Sequence, residues 1–584
     1  MALGGKALAV GLPMIAGLAA AVISWQRWIT PFVDASREMC VPWRLAGGER
    51  LYRDVAYYYG PVGPWLGALL LRMFGRRWAV LEAMCAVVTV VLFWALYRLT
   101  KAAGSRVSAI VAVSAAAALC VGAPLGGAFL FPYSIDSLIA AAAGLSALAL
   151  LAEDGARRSW IVAGAAVGVA LGARIEIGSA VLAIVVLAGL RSSKTVQDRG
   201  WLRVAGLGAA IGIVVYGVAF VGVPLRDLRP EGPGAVFSPP AEWRAVYRLV
   251  AGLDDPAAGF RRVATSLFLD VIVLGGAWLF RKGVGRLAWV LLVAAAAVFS
   301  LIAAGRGIDS SWPPLLASGP LLAIALTVAS FLRLRTAEQR ARFFLFGFAA
   351  VLASRVLLGL DYGQRPNPYS ILALPGICAT MAVLFVDLIP PALPRSEGVR
   401  INAALVFIGI GAVGLLHLSR ISAPERSAAV STPAGRLRLP VLQAGPTAMT
   451  LDFLRRIARP GDTIAGFPVA GIFNFATGLR NPLREEQILP GFLGPAEEDR
   501  VIGRLRENPP RFVLLINQPA AAFGEVAFGD DYARKLWAEV ERTYGLVASF
   551  GTSNVRARIG SQPFFIRVYE RIVTLGPPVR SGSS

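Results

Sequence analysis

Residues 159–190 read SWIVAGAAVGVALGARIEIGSAVLAIVVLAGL, an apolar stretch of about 32 residues interrupted only by Arg174 and Glu176. About 20 helical residues cross a hydrocarbon core of roughly 30 Å, so the stretch is too long for one crossing. Both flanks are basic, with Arg157 and Arg158 before it and Arg191, Lys194, Arg199 and Arg203 after it. Basic flanks stay cytoplasmic, which puts both ends on the same side. The stretch therefore goes up and comes back as two short helices of about 15 residues, with GARIEIG at 172–178 turning at or near the outer face.

Working outward, conventional spans fall near residues 6–26, 78–98, 106–124, 133–152, 202–223, 264–280, 287–304, 313–332, 343–360, 369–389 and 401–419. With the pair at 159–190 the expected fold is an α-helical polytopic membrane protein of about 13 transmembrane helices. The charge pattern agrees with that count when Lys6 and the N-terminus are cytoplasmic and the first run is a retained signal-anchor. Arg98, Lys101 and Arg106, then Arg281, Lys282 and Arg286, then Arg333, Arg335, Arg340 and Arg342, then Arg395 and Arg400 fall on inner loops. The short outer turns near 125–132, 305–312 and 361–368 contain only Arg306 and Arg365. Residues 1–419 thus form the transmembrane part, and residues 420–584 lie outside, in the periplasm if the cell is Gram-negative.

Composition supports lipid as the solvent: the 584 residues are 56% hydrophobic and 16% charged. The net charge of +22 is spread over segments between apolar runs rather than along one basic face, so it reports topology and not nucleic-acid binding. Of the four cysteines, Cys85, Cys120 and Cys378 sit inside apolar runs and Cys40 stands in a loop, which suggests no disulfide framework. His417 is the only histidine, and that removes His-based metal sites and Ser-His-Asp catalysis. Gly- and Ala-rich, Lys-poor usage points to a bacterial inner membrane.

Two outer segments, 27–77 and 224–262, are too long to be tight turns, and such loops carry function. The first interleaves Trp25, Trp28, Trp43, Tyr52, Tyr57, Tyr58, Tyr59 and Trp65 with Arg37, Arg44, Arg50, Arg53 and Arg72, which suits helices lying in the interface. An aromatic belt alone leaves the acids Asp34, Glu38 and Asp54 without a role. After a linker to about residue 440, helix and strand signals alternate: a helix at 447–459, a strand at 463–468, a helix at 495–507 and a buried strand at 511–518. A helix near 531–543 and strands near 546–550 and 564–570 complete an expected soluble α/β domain. Its glycines form no phosphate-binding fingerprint.

Charge at membrane depth costs about 2.5–3.5 kcal/mol at a helix centre on insertion scales, so such residues usually face a cavity and serve a function. Asp34, Asp136 and the Arg174–Glu176 pair stand at the outer boundary. An N-cap acid, a local ion pair and an ordinary loop acid are their structural alternatives. Together they suit transfer from a lipid phosphate, which needs a carboxylate to take a hydroxyl proton and cations to hold the departing phosphate. Asp34 is the candidate base, with Arg174, Arg306 and Arg365 carrying the phosphate. Arg37, Arg53, Asp54, Tyr59 and Glu176 join the candidate binding set. Alternatively Asp34 and Asp136 share a divalent cation, Mg²⁺ or Mn²⁺, which hard oxygen ligands suit.

Asp34 after the first span, GGERLYRDVAYYYGPVGPWLGALLLRMFG at 47–75 and Asp136 in the fourth span together resemble the C-type membrane glycosyltransferases. The resemblance is to the family 39 group, with the bacterial aminoarabinose transferases of lipid A and the protein O-mannosyltransferases. It covers roughly residues 1–220 by motif and the rest by architecture. It implies a polyprenyl-phosphate sugar donor, a lipid, glycan or protein acceptor, a catalytic acid at Asp34 and a second acid at Asp136. The chain departs from these relatives in two places. Asp34-Ala35 stands where many have an Asp-Glu pair, and Tyr59-Gly60-Pro61 stands where the aminoarabinose transferases have Lys-Pro-Pro. Arg174 or Arg53 then has to supply the missing charge. The competing classes are a secondary transporter, which should show paired halves with interrupted helices, and a non-catalytic envelope scaffold.

Overall fold

The computed structural model describes residues 34–121, 129–153, 157–192, 200–228, 239–281, 316–388 and 427–572, apart from short gaps, and a few earlier positions. The spans expected at 287–304 and 401–419, most of 6–26, and Arg306 and His417 lie outside these residues.

The apolar runs become helices: α1 Asp34–Ala46, α2 Val62–Phe74, α3 Trp78–Ala103, α4 Arg106–Cys120, α5 Ile135–Glu153, α6 Arg157–Ala173, α7 Ile175–Ser192 and α8 Gly200–Phe220. They continue as α9 Ala241–Ala251, α10 Pro256–Arg281, α11 Gly319–Leu332, α12 Ala337–Ala353 and α13 Ser370–Val383. Among the described residues, four helices are long and apolar enough to cross a membrane: Trp78–Ala103, Ile135–Glu153, Gly200–Phe220 and Ser370–Leu388, the last running through a π-turn at Leu384–Leu388.

The 159–190 stretch breaks at Arg174, between α6 and α7. Small residues set its neighbours. Gly164, Gly168 and Gly172 of α6 face Leu207, Ile211 and Val215 of α8, while Gly208 and Gly212 of α8 face Val167 and Leu171. The constant offset makes α6 and α8 parallel, and glycine at that seam lets the two backbones approach closely. Parallel neighbours require the intervening α7 to run back, and Gly189 at its far end lies against Trp201 at the start of α8.

One end of the bundle is basic and cross-linked. Arg98 of α3 pairs with Glu153 of α5, Arg342 Nε donates to the Ala103 carbonyl over 2.8 Å, and Ser105 N donates to Asp387 over 3.0 Å. Capping boxes start α4 at Ser105/Ser108 and α12 at Thr336/Gln339 at this same end. Asp34, Asp136 and Arg174 lie at the other end, where α5 and α7 begin.

The chain after residue 426 contributes the hairpin β3 Ser427–Thr432 with β4 Gly435–Pro440, α14 Val441–Ile457 and a four-stranded sheet. The sheet has the order β5 Ile464–Phe467, β6 Phe512–Ile516, β8 Ile566–Arg571, β7 Tyr544–Phe550, with only β5–β6 parallel. Helices α15 Gly471–Thr477, α16 Pro495–Glu507 and α17 Arg534–Thr543 link the strands. The stretch read as a linker to about 440 is in part the β3–β4 hairpin, whose Thr432 Oγ1 accepts from the Trp78 indole over 3.2 Å. Alternating Leu437 and Leu439, both buried, are the strand signal there. The loop helices also need correction: α1 does not lie in the lipid interface, because its Arg37, Glu38 and Arg44 are buried in protein.

Candidate active site

The segment before α3 builds the site from its N-terminal helix, α1. Asp34 opens α1 as an acid in the first turn, favourable to the helix dipole, and its Oδ1 lies 3.1 Å from Arg37 Nη1 one turn on. Asp34 is partly open, at 26% side-chain exposure, whereas Arg37 and Glu38 are sealed at 2% each. A buried guanidinium needs every N–H satisfied. Nε and Nη2 of Arg37 donate to Glu38 Oε1 over 3.1 and 2.9 Å, Nη2 also to the Tyr133 carbonyl over 3.4 Å, and Nη1 to Gln487 Oε1 over 3.2 Å.

Glu38 passes the network on to α5. Its Oε2 accepts from the Ile135 N–H over 2.9 Å, and the Tyr57 hydroxyl sits 3.3 Å from its Oε1. Burial pushes the Glu38 carboxyl above the ordinary carboxylate range, against the opposing pull of Arg37 and the Ile135 N–H. Tyr57 donates to Asp136 Oδ2 over 2.5 Å, and the Gly63 N–H donates to Asp136 Oδ1 over 2.7 Å. Asp136 is fully buried and tethers the loop to α5.

Arg174, at the break between α6 and α7, donates from Nη1 to Ser134 Oγ (3.1 Å) and Ser137 Oγ (2.8 Å), and from Nε to Glu176 Oε1 (2.7 Å). Its guanidinium carbon lies 3.8 Å from the Tyr59 ring centroid, and that of Arg37 lies 4.7 Å from the same ring. Arg355, just after α12, donates to the same Glu176 oxygen over 2.7 Å. One carboxylate between two guanidiniums leaves the corner net positive. Glu176, Arg355, Tyr133 and Tyr369 line a cleft of about 280 Å³ with Leu352 and Leu372. Asp34 connects to that cleft through Arg37, which pairs with it at 3.1 Å and donates to the carbonyl of the cleft-lining Tyr133 over 3.4 Å.

The structure thus gathers Asp34, Arg37, Tyr59, Asp136, Arg174 and Glu176. Arg53 and Asp54 stand apart: they form an exposed pair at 3.6 Å, and Asp54 Oδ2 caps the Arg50 N–H over 2.8 Å in a turn. Arg365 lies on the short hairpin of β1 Asp361–Tyr362 and β2 Arg365–Pro366, with its side chain outside the described residues. Both Asp136 oxygens already accept hydrogen bonds, and among the described residues no three His, Cys, Asp or Glu side chains converge as a metal site.

Sequence reasoning missed Arg355, Tyr369 and Gln487. Arg355 had a signal, a guanidinium inside the run read as a span at 343–360, and such charges mark cavities.

The family described as Dolichyl-phosphate-mannose-protein mannosyltransferase matches residues 59–221. No curated protein matches the sequence. Among solved structures, the chain is similar to ArnT from Cupriavidus metallidurans bound to undecaprenyl phosphate, at 13% identity and TM-score 0.48, over 99% of this chain and 100% of that one. It is also similar to the oligosaccharyltransferase AglB from Archaeoglobus fulgidus in complex with an inhibitory peptide and a dolichol-phosphate, at 14% identity and TM-score 0.46, over 96% and 75% of the two chains. The arabinofuranosyltransferase AftD from Mycobacteria shares 15% identity at TM-score 0.41, over 96% of this chain and 40% of that one.

Proposed function

We propose, from the family match over residues 59–221, that the chain is a C-type membrane glycosyltransferase that moves a sugar from a polyprenyl-phosphate donor to an acceptor hydroxyl of a lipid, glycan or protein on the periplasmic face of a bacterial inner membrane. The observation that supports this is one partly open carboxylate, Asp34, linked through Arg37 and Tyr133 to a cleft whose cations are Arg355 and, behind Glu176, Arg174.

In this scheme the donor phosphate enters the cleft and meets the Arg355 guanidinium, which is one-third exposed. Asp34 takes the proton of the acceptor hydroxyl as its oxygen bonds to the anomeric carbon. The bond from that carbon to the phosphate oxygen breaks, and its electron pair leaves with polyprenyl phosphate, whose charge the guanidiniums neutralise. Arg37 holds Asp34 through their 3.1 Å ion pair. Glu38, Tyr57 and Asp136 hold the loop on α5 and take no part in the bond changes.

Incubating membranes with radiolabelled polyprenyl-phosphate sugars tests the activity, with label expected to leave the polyprenyl-phosphate donor only when this protein is present. A phosphatase fused after residue 572 tests the face. An active fusion supports the periplasmic assignment, and activity of a cytoplasmic reporter alone at that position contradicts it.

A further inference from the structure

The strip Asn481–Gln487, NPLREEQ, is polar yet buried: Asn481, Arg484, Glu485, Glu486 and Gln487 are each at most 9% exposed. Burying so many polar groups is costly unless each finds a partner. The partners lie largely in the segment before α3, more than 400 residues earlier in the chain. Arg44 Nη1 donates to Glu486 Oε1 over 2.6 Å and to the Leu483 carbonyl over 2.9 Å. The Ala56 N–H donates to the Arg484 carbonyl over 2.9 Å, and Arg484 Nη2 donates to the Tyr52 carbonyl over 2.5 Å. Tyr52 is in the left-handed region at φ 62°, a strained place for a bulky residue, so it needs holding.

Arg37 and Arg44 are two turns apart on one face of α1, with Cys40 between them donating its thiol to the Gly471 carbonyl at 2.8 Å. That face rests on the strip. The Arg37 guanidinium has five N–H hydrogens. Two contacts go to Glu38 and one each to the Tyr133 carbonyl, Asp34 and Gln487. Nη1 thus donates to Gln487 while it stands in an ion pair with Asp34 at 3.1 Å.

We propose that Gln487 is a positioning residue for glycosyl transfer: by accepting from Arg37 Nη1, it holds that nitrogen in its ion pair with Asp34 and so fixes the acid. This rests on Asp34 as the base. The segment after residue 426 thereby completes a site whose reacting groups all lie before it. Without the Gln487 carbonyl, Nη1 carries a buried unpaired hydrogen, and the guanidinium turns to satisfy it, taking the Asp34 carboxylate along.

Gln487→Leu keeps the size and removes the acceptor. In purified full-length protein it is expected to lower kcat by about 10- to 100-fold with donor KM changed less than about threefold. A double-mutant cycle with Asp34→Asn separates positioning from packing: if Gln487 acts through Asp34, the leucine change costs nothing further in the Asp34→Asn background. Full additivity overturns the proposal while leaving Asp34 as base, and an unimpaired Asp34→Asn enzyme overturns that assignment itself. Gln487→Glu keeps an oxygen opposite Nη1 and is expected to hold kcat within about threefold of the parent. A folded glutamate variant as slow as the leucine one contradicts the proposal, which keeps the test decisive should Gln487→Leu misfold.

Discussion

The Tyr59 ring lies between two guanidiniums, 3.8 Å from Arg174 and 4.7 Å from Arg37, and so joins the phosphate corner to the acid corner of the site. Cation–π contacts with desolvated guanidiniums are worth about 2 kcal/mol. The ring, rather than the hydroxyl, carries that interaction. Tyr59→Phe should keep turnover within about threefold, whereas Tyr59→Leu should lose on the order of tenfold or more in kcat/KM, measured with a saturating acceptor.

Arg355 is the more open of the two cations on Glu176. Replacing it with Ala removes a charge that meets the donor phosphate in both ground and transition states, so donor KM should rise by about 10-fold or more. Arg355→Lys should recover only part of this, because a point charge cannot both hold Glu176 and fork toward a phosphate. Initial rates against donor concentration check it, and an unchanged KM in Arg355→Ala would remove the cleft from the donor site.

Asp136 accepts from Tyr57 and Gly63 and so ties the loop to α5. Asp136→Ala leaves the Gly63 N–H buried without its acceptor, which costs about 1–3 kcal/mol, and leaves the Tyr57 hydroxyl only its longer contacts to Glu38. The expected outcome is a lower thermal midpoint and a lower yield of folded protein, with turnover per folded molecule falling less than for Asp34 variants. Thermal unfolding in detergent alongside active-site-normalised rates distinguishes the two.

Gly60 touches the tip of the helix break with its backbone. Its N–H donates to the Ala173 carbonyl over 3.0 Å, and a Cβ there would lie 2.0 Å from the Gly172 carbonyl oxygen. Gly60→Ala must therefore part the loop from the α6–α7 corner. It should destabilise the protein and displace Tyr59 from Arg174, seen as a loss of turnover together with a lowered thermal midpoint.

How much of this could be read beforehand depends on distance along the chain. The break at Arg174 was legible because charge inside an apolar run, between two basic flanks, admits few other arrangements. Asp34, Asp136 and Arg174 stood out for the same reason, an ionisable group at membrane depth. Their division of labour was not legible: whether Asp136 faces a cleft or accepts Tyr57 and Gly63 is decided by packing that no local pattern encodes. Gln487 gave no signal at all, since an uncharged amide 450 residues from Arg37 becomes informative only once the chain has brought them to 3.2 Å. The β3–β4 hairpin was missed because prolines and arginines suggested a linker, and its alternating Leu437 and Leu439 are short evidence on their own.

The most direct test of the central claim is single-turnover transfer from a radiolabelled polyprenyl-phosphate sugar by purified parent and Asp34→Asn proteins of equal thermal stability. The substitution keeps the shape of the side chain and removes its basicity, so the chemical step should slow by about 10²–10⁴-fold while donor binding is retained. An Asp34→Asn protein that transfers the sugar at the parental rate would contradict the account.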